Sequence, residues 1–425
     1  MHTEVLIVGG GFGGLTAAKA FRKTSRDVLI VDKTNHHLFQ PLLYQIASAA
    51  ISPREIAIPI REIFRKDDNI HVIMGDVESI NKSRNEVTLG NGDKITFTYL
   101  ILALGAKHSY FGNERWETFA PGLKTVSDAI KIREQLLISF EKAERMESME
   151  KAEKYLNFVV IGGGPTGVEM AGAIAEISRK TLFKNFRKIK PENSKIYLVE
   201  ALPHILPMYP PKLSETAKKD LEKLGVIVLT GKKVTDITKD GVQVEDTFLA
   251  SHNIIWAAGN QASPLLKTLE VPLDRAGRVI VEPDLTIPGH SNIFVIGDAG
   301  NCKGKNGLPL PGIAPTAIQQ GKYVGKIIKN EILKEKRKPF SYFDKGSMAT
   351  IGKGEAIAMI GKIQFSGLLA WLAWCFIHIV YLIGFRNRLS VLIEWLRVYF
   401  TGQRGSRLIY GSIDKDLPKK NVPLD

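Results

Sequence analysis

Two sets of glycines at fixed spacing, each closed by an acid at the end of a following strand, are the groups in this chain whose pattern most directly implies chemistry. Gly9-Gly10-Gly11-Phe12-Gly13-Gly14 follows an apolar strand over residues 4–8 and opens a helical pattern over 15–22. A strand over 28–31 then delivers Asp32, with Lys33 beside it. The second copy has a strand over 158–161, Gly162-Gly163-Gly164-Pro165-Thr166-Gly167, a helix from Val168, and a strand over 196–199 ending at Glu200. In such a fingerprint the first glycine makes the tight turn, the second admits the backbone to a pyrophosphate, and the third packs helix on strand. The helix N-terminus offers oriented N–H groups to the phosphates. The carboxylate about twenty residues on accepts hydrogen bonds from a ribose hydroxyl. Two dinucleotides in one chain most simply mean a flavin beside a nicotinamide: FAD at the first fingerprint, NADH at the second.

The elements that must position these residues alternate strands and helices, which predicts an α/β fold with two Rossmann-like dinucleotide-binding domains, the second inserted in the first. A strand over 99–103 ends at Gly105, one over 253–257 ends near Gly259, and one over 293–296 ends at Gly297-Asp298. The expected boundaries are 1–120 and 284–342 for the FAD domain, 121–283 for the inserted NADH domain, and 343–425 for a C-terminal membrane-associated helical region. The 425 residues suffice for two or three domains, and 44% hydrophobic with 24% charged residues is a globular composition. No secretory leader is expected, because the first fingerprint starts at Gly9. The two cysteines, Cys302 and Cys375, form no motif, which fits a reducing cytoplasmic location. His36-His37 lacks the partner spacing of a metal site, so no metal is expected.

Several segments resemble the two-dinucleotide-fold flavoproteins, and within them the type II NADH dehydrogenases. They are IVGGGFGGLTAA (7–18), HHLFQPLLYQIASAAISP (36–53), VVIGGGPTGVEMAGAIAE (159–176), VIGDAG (295–300) and APTAIQQG (314–321). The resemblance covers nearly the whole chain. It implies hydride transfer from NADH to FAD, then two-electron reduction of a quinone without proton pumping. It gives Asp298 a flavin contact; a turn aspartate is the plainer reading of a lone Gly-Asp. It associates Glu169 with nicotinamide placement and coupling to the flavin, against a simple acid in the first helical turn, which the dipole favours. Family members often carry A-Q-x-A-x-Q where this chain has Ala314, Pro315, Ala317 and Gln319. Ala317 is then a cofactor contact and Gln319 a quinone contact, while Pro315 removes one donor; an exposed polar helix residue is the alternative for Gln319. Flavin disulfide reductases and sulfide:quinone reductases need paired cysteines that this chain lacks, so electrons are expected to leave a flavin directly for a diffusible acceptor. A related reductase of another acceptor, or a flavin-bearing NADH sensor, is the alternative.

Charge placement bears on partners. The net charge of +14 suggests nucleic acid or an anionic membrane surface. Arg386, Arg388, Arg397, Arg404 and Arg407 face only Glu394 and are interleaved with apolar residues, which favours an anionic bilayer over nucleic acid. Residues 365–385 carry no formal charge, and a single transmembrane span is the weaker reading. Read as a helix, Leu389, Leu392, Ile393, Leu396, Tyr399 and Phe400 form one stripe, as in an interfacial anchor. A core or dimer helix is the alternative, and a homodimer is left open. The tail from about residue 365 is thus expected to anchor the protein on the cytoplasmic face of a membrane and to serve the quinone route, without being a folding element of the nucleotide domains. Glu200 also sets a nucleotide preference, since its carboxylate would face the additional phosphate of NADPH at close range. At physiological ionic strength kcat/KM should be clearly higher for NADH than for NADPH; comparable values would remove the assignment.

Overall fold

Runs of Val, Ile and Leu that are apolar on both faces form parallel strands only when covered on both sides, and this chain builds two sheets of that kind. The computed structural model describes residues 1–409. Two compact units emerge. The first comprises Met1–Leu38, Ala57–Ser109 and Asn260–Lys345; the second comprises Phe39–Ile56, Tyr110–Gly259 and the chain from Gly346 onward.

In the first unit the strand His2–Val8 lies at the centre of a parallel sheet, between Val28–Asp32 and Lys94–Leu102. Ile70–Met74 and His290–Val295 extend it on either side, also in parallel. The early part of Lys94–Leu102 pairs instead with the hairpin strand Glu86–Leu89, across the turn at Gly90-Asn91-Gly92. Leu6, Leu29, Leu100 and Val295 belong to one buried core. The sequence reading returns the chain to this unit at 284, whereas the structure returns it at Asn260. The reason is visible: Asn260–Ala262 pairs with Ala106–His108, and Leu266, Leu269 and Val279 are already in the core.

The second unit has the parallel order Val226–Thr230, Lys195–Glu200, Asn157–Ile161, Asn253–Trp256. The short helix Leu43–Ala47 joins it by packing on the helices Val126–Arg145 and Pro165–Glu176. An antiparallel meander, Ser347–Gly352, Glu355–Ile360 and Ile363–Ser366, packs on Pro165–Glu176 as well.

The C-terminal region corrects the expectation that everything beyond residue 365 is dispensable to folding. Phe365 is paired with Ala358 inside the meander, and Ala370 and Trp374 are fully buried. The uncharged run is also not one helix. The helix Leu368–Tyr381 has 14 residues, about 21 Å at 1.5 Å per residue, short of a hydrocarbon core of about 30 Å. Gly384, at φ 87°, opens the next helix, Phe385–Thr401. Arg388 folds back to donate to the carbonyls of Leu382 and Val380 at 2.7 and 2.9 Å, capping the first of the two helices. Among the described residues no helix is long and apolar enough to cross a membrane.

One contact tests the seating of the meander. A β-carbon on Gly172 would lie 1.8 Å from the Ile351 carbonyl oxygen. Gly172→Ala should therefore destabilise the protein by about 1–3 kcal/mol, as overpacking does, seen as a lower thermal unfolding midpoint. An unchanged melting curve would mean that helix and strand do not meet there.

Candidate active site

The first fingerprint is held by its own backbone. Gly14 packs so closely that a β-carbon would lie 1.9 Å from the Gly9 carbonyl oxygen, and Gly9 itself has φ 105°. The helix Phe12–Lys19 therefore starts directly on the end of strand His2–Val8. Asp32 closes the arrangement: Oδ2 accepts the Gly10 N–H at 2.6 Å, and Oδ1 accepts the Thr34 N–H and hydroxyl, each at 2.7 Å. Gly11 behaves differently, because nothing lies within 4 Å of the position its β-carbon would take. Open space beside helix N–H groups and a fixed carboxylate fits the pyrophosphate and ribose of FAD.

Other expected residues gather at this end of the sheet. A β-carbon on Gly297 would lie 3.3 Å from that of Ala317, and one on Gly13 would lie 3.4 Å from the Ala317 carbonyl oxygen. Asp298 sits in the turn Gly297–Ala299, against Gly312. Gln320, buried, accepts the Gly297 N–H at 2.6 Å and so fixes that turn. The helix Ala314–Lys329 grips the fingerprint helix where Gly321 approaches the Gly13 carbonyl. Gly105 has φ 66° and open space around it, while Lys33 is exposed. His37 is buried, with Nδ1 3.0 Å from the Gly10 carbonyl oxygen and its ring edge-on to Phe12; burial lowers its pKa to about 4, so it is neutral.

The second unit repeats the design. A β-carbon on Gly167 would lie 1.8 Å from the Gly162 carbonyl oxygen, whereas Gly164 has nothing within 4 Å. Glu200 Oε2 accepts the Gly163 N–H at 2.6 Å and Oε1 the Leu202 N–H at 2.7 Å. Gly259, at φ 72°, lies against the Phe111 ring. This cradle fits NADH as the first fits FAD.

A cleft opens elsewhere in the second unit. Its lining mixes polar side chains, Tyr44, Gln45, Glu169, Glu176 and Arg404, with the aromatic rings of Trp371, Trp374, Trp395 and Tyr399. The helix carrying Glu169 begins at Pro165, so the residue lies beyond the first turn and is no cap. Burial instead holds its carboxyl well above the ordinary glutamate range, opposed only in part by the Thr350 backbone N–H. Burial thus favours the neutral, protonated form in the folded chain relative to the unfolded one. Burial and the nearby Glu169 likewise raise the Tyr44 phenol.

Gln319 also makes a backbone contact that the sequence does not announce. Its Nε2 donates to the Phe343 carbonyl and its Oε1 accepts the Phe343 N–H, both at 2.9 Å. Both ends of the amide hold the Phe343 backbone, and the second N–H of the NH2 group is not taken up by that contact. Gly10, Gly163, Thr34, Tyr44, Gln45, Glu176 and Arg404 were not singled out from the sequence. The first two carry the only available signal, as the remaining glycine of each triplet.

The open positions yield a prediction. Gly11→Ala should lower bound FAD, and Gly164→Ala should raise the KM for NADH about tenfold while flavin content is kept, because each β-carbon would occupy ligand space and touch no protein atom. Flavin absorbance after gel filtration and steady-state kinetics read the two effects. Normal FAD content and normal KM in both variants would mean that the space is not the nucleotide's.

Residues 3–321 match the family model of pyridine nucleotide-disulphide oxidoreductases, and residues 345–404 match that of the NDH2 C-terminal domain. Type II NADH:quinone oxidoreductase Ndh of Mycobacterium tuberculosis is 44% identical over 421 residues, spanning 96% of this chain and 90% of that protein. NdhA of the same organism is 43% identical over 432 residues, spanning 96% and 91%. Among solved structures, NDH2 from Plasmodium falciparum in complex with NADH shares the fold at TM-score 0.88 and 22% identity, covering 95% of this chain and 99% of that one. Two nucleotide cradles, a chain without a cysteine pair and this degree of likeness agree: the chain belongs to the type II NADH:quinone oxidoreductases.

Proposed function

We propose that this protein binds FAD in the first unit and NADH in the second, oxidises NADH, and reduces a quinone in the cleft beside Glu169, without pumping protons. When bound, FAD supplies the redox chemistry by accepting hydride and releasing electrons in turn. The chain's residues do the rest. Gly9, Gly11, Gly13, Gly14, Asp32, Lys33, Gly105, Asp298 and Ala317 hold the flavin nucleotide, and Gly162, Gly164, Gly167, Glu200 and Gly259 hold NADH. Glu169, protonated and facing the cleft, gives a proton to the reduced quinone.

The observation that carries this reading is the cleft's mixed lining. A quinone has a polar head and an apolar body, and the cleft is lined by an acid, a phenol and an amide together with tryptophans. The indole N–H of Trp374 has no acceptor among the described residues, an unmet donor that a quinone carbonyl could satisfy. Both helices that carry the tryptophans also expose apolar side chains. Phe376 is 67% and Phe400 79% exposed, and Leu369, Leu372, Leu389, Leu392, Ile393 and Leu396 are exposed with them. A surface of this size and composition favours peripheral insertion into one leaflet. Tyr399 leaves the expected stripe and turns toward Trp371, their rings 5.4 Å apart. An anionic lipid surface on the cytoplasmic side, and a homodimer, complete the proposal.

The test is anaerobic NADH oxidation by flavin-loaded protein, with a short-chain quinone in solution and a long-chain quinone in anionic vesicles. Quinone-dependent turnover should far exceed turnover without it, which a flavin-bearing sensor would not show. Leu392→Asp with Phe376→Asp should abolish vesicle sedimentation and turnover of the embedded quinone, but spare the soluble one. Glu169→Gln, isosteric with the neutral acid, should fold normally and lower quinone turnover about 100-fold, within the range for loss of a general acid. In the parental enzyme turnover should fall as pH rises through the raised pKa of Glu169, because only the protonated form donates. A pH profile shared by Glu169→Gln and parent would remove Glu169 from the proton transfer.

A further inference from the structure

The segment after the last helix turns back onto the second unit. Gly402, left-handed at φ 69°, ends the helix, and its carbonyl accepts the Thr181 hydroxyl at 3.0 Å. The Ser406 N–H donates to the Ala49 carbonyl at 3.2 Å. Between these points Arg404 is carried inside, 4% exposed. Its Nη1 donates to the Ser48 carbonyl at 2.8 Å and its Nη2 to Glu176 Oε2 at 2.9 Å. A guanidinium is buried only where its lost hydration is replaced, and here a carboxylate and a carbonyl replace it.

What the tail grips is informative. Ser48 and Ala49 follow the short helix Leu43–Ala47, and Ala49 has φ 59°, a backbone conformation that a β-carbon disfavours. Arg404 holds the carbonyl before that bend and Ser406 the carbonyl of the bend itself. The helix so anchored presents Tyr44 and Gln45 to the cleft. Gln45 Nε2 donates to the Tyr44 hydroxyl oxygen at 3.0 Å, and Gln45 Oε1 accepts the Trp395 indole N–H at 2.7 Å. Tyr44 and Gln45 are thus held from two sides: by Trp395 of the last helix and by the tail that follows it. Glu176, the other partner of Arg404, also accepts the Lys353 N–H at 2.7 Å, which ties the meander to the same point.

We propose that Arg404 is a positioning residue for the acceptor cleft: through the Ser48 carbonyl and Glu176 it holds Tyr44 and Gln45 where the acceptor is received. The C-terminal segment then governs acceptor recognition without serving either nucleotide cradle. This rests on the reading of the cleft as the quinone site.

The test uses full-length, flavin-loaded protein and separates the two halves of turnover. Flavin reduction by NADH is followed alone by stopped-flow absorbance, and kcat and KM for a short-chain quinone are measured at saturating NADH. Arg404→Met should raise the quinone KM about tenfold and leave the flavin reduction rate within about twofold. Arg404→Lys should recover part of the loss, since an ammonium can meet one of the two acceptors. Thr181→Val loosens the tail without removing a charge and should raise the quinone KM about threefold; it decides the matter if Arg404→Met does not retain flavin. An unchanged quinone KM in Thr181→Val, or equal losses in both halves of turnover in Arg404→Met, would overturn the proposal. A parental enzyme whose flavin is reduced by NADH but which turns over no quinone removes the functional reading and this inference together. Parental quinone turnover with unaltered variants removes this inference alone.

Discussion

A carbonyl oxygen lying where a side chain would begin decides both nucleotide units. Gly14 meets the Gly9 oxygen and Gly167 the Gly162 oxygen at distances that exclude any β-carbon. Each contact sets a helix directly onto a strand end, and the rest follows. The first-turn N–H groups point along one line, the next glycine keeps an empty space in front of them, and the acid of the neighbouring strand reaches the middle glycine N–H. The identical pattern of bonds at Asp32 and Glu200 follows from that shared geometry. Affinity for a ribose comes from acceptors already held in place, so less ordering remains to be done on binding.

The cleft in the second unit obeys the opposite rule. Nothing in it resembles a repeated motif, and its lining is drawn from five distant stretches around Tyr44, Glu169, Thr350, Trp374 and Trp395. Desolvation is its dominant effect. It pushes the Glu169 carboxyl and the Tyr44 phenol up, and Arg404 meets its own burial through the Glu176 carboxylate and the Ser48 carbonyl. The aromatic contacts of Trp374 with Trp395 and of Trp371 with Tyr399 pack the two C-terminal helices together. One side of each helix is thereby committed to the protein and the other left to its surroundings.

Most of the nucleotide chemistry was legible in the sequence because it is local. A fingerprint, its strand and its acid lie within a short stretch, and backbone geometry permits few alternatives for such glycines. Glu169 was legible as a candidate but not in its setting, since the boundary of its helix at Pro165 and its desolvation depend on residues far along the chain. The partner of Gln319 was hidden for the same reason: Phe343, which meets its amide, is not a neighbour in sequence. The uncharged stretch from Phe365 looked like one element, but strand pairing at Phe365 and the left-handed Gly384 divide it. Arg404 read as one of several surface arginines. Only the turn at Gly402 sends it inward.

The exposed apolar sides of the last two helices bear on what an apparent affinity would mean. The residues that line the cleft and those that face outward alternate on the same helices, so an acceptor arriving through a bilayer comes from lipid and not from water. Its effective concentration is then its mole fraction in the leaflet. Lengthening the acceptor's tail would lower the KM expressed per litre of water through partition alone, without one new protein contact. Rankings of quinones in detergent and in vesicles would then differ, and only the order expressed per lipid would report on Tyr44, Gln45 and Glu169.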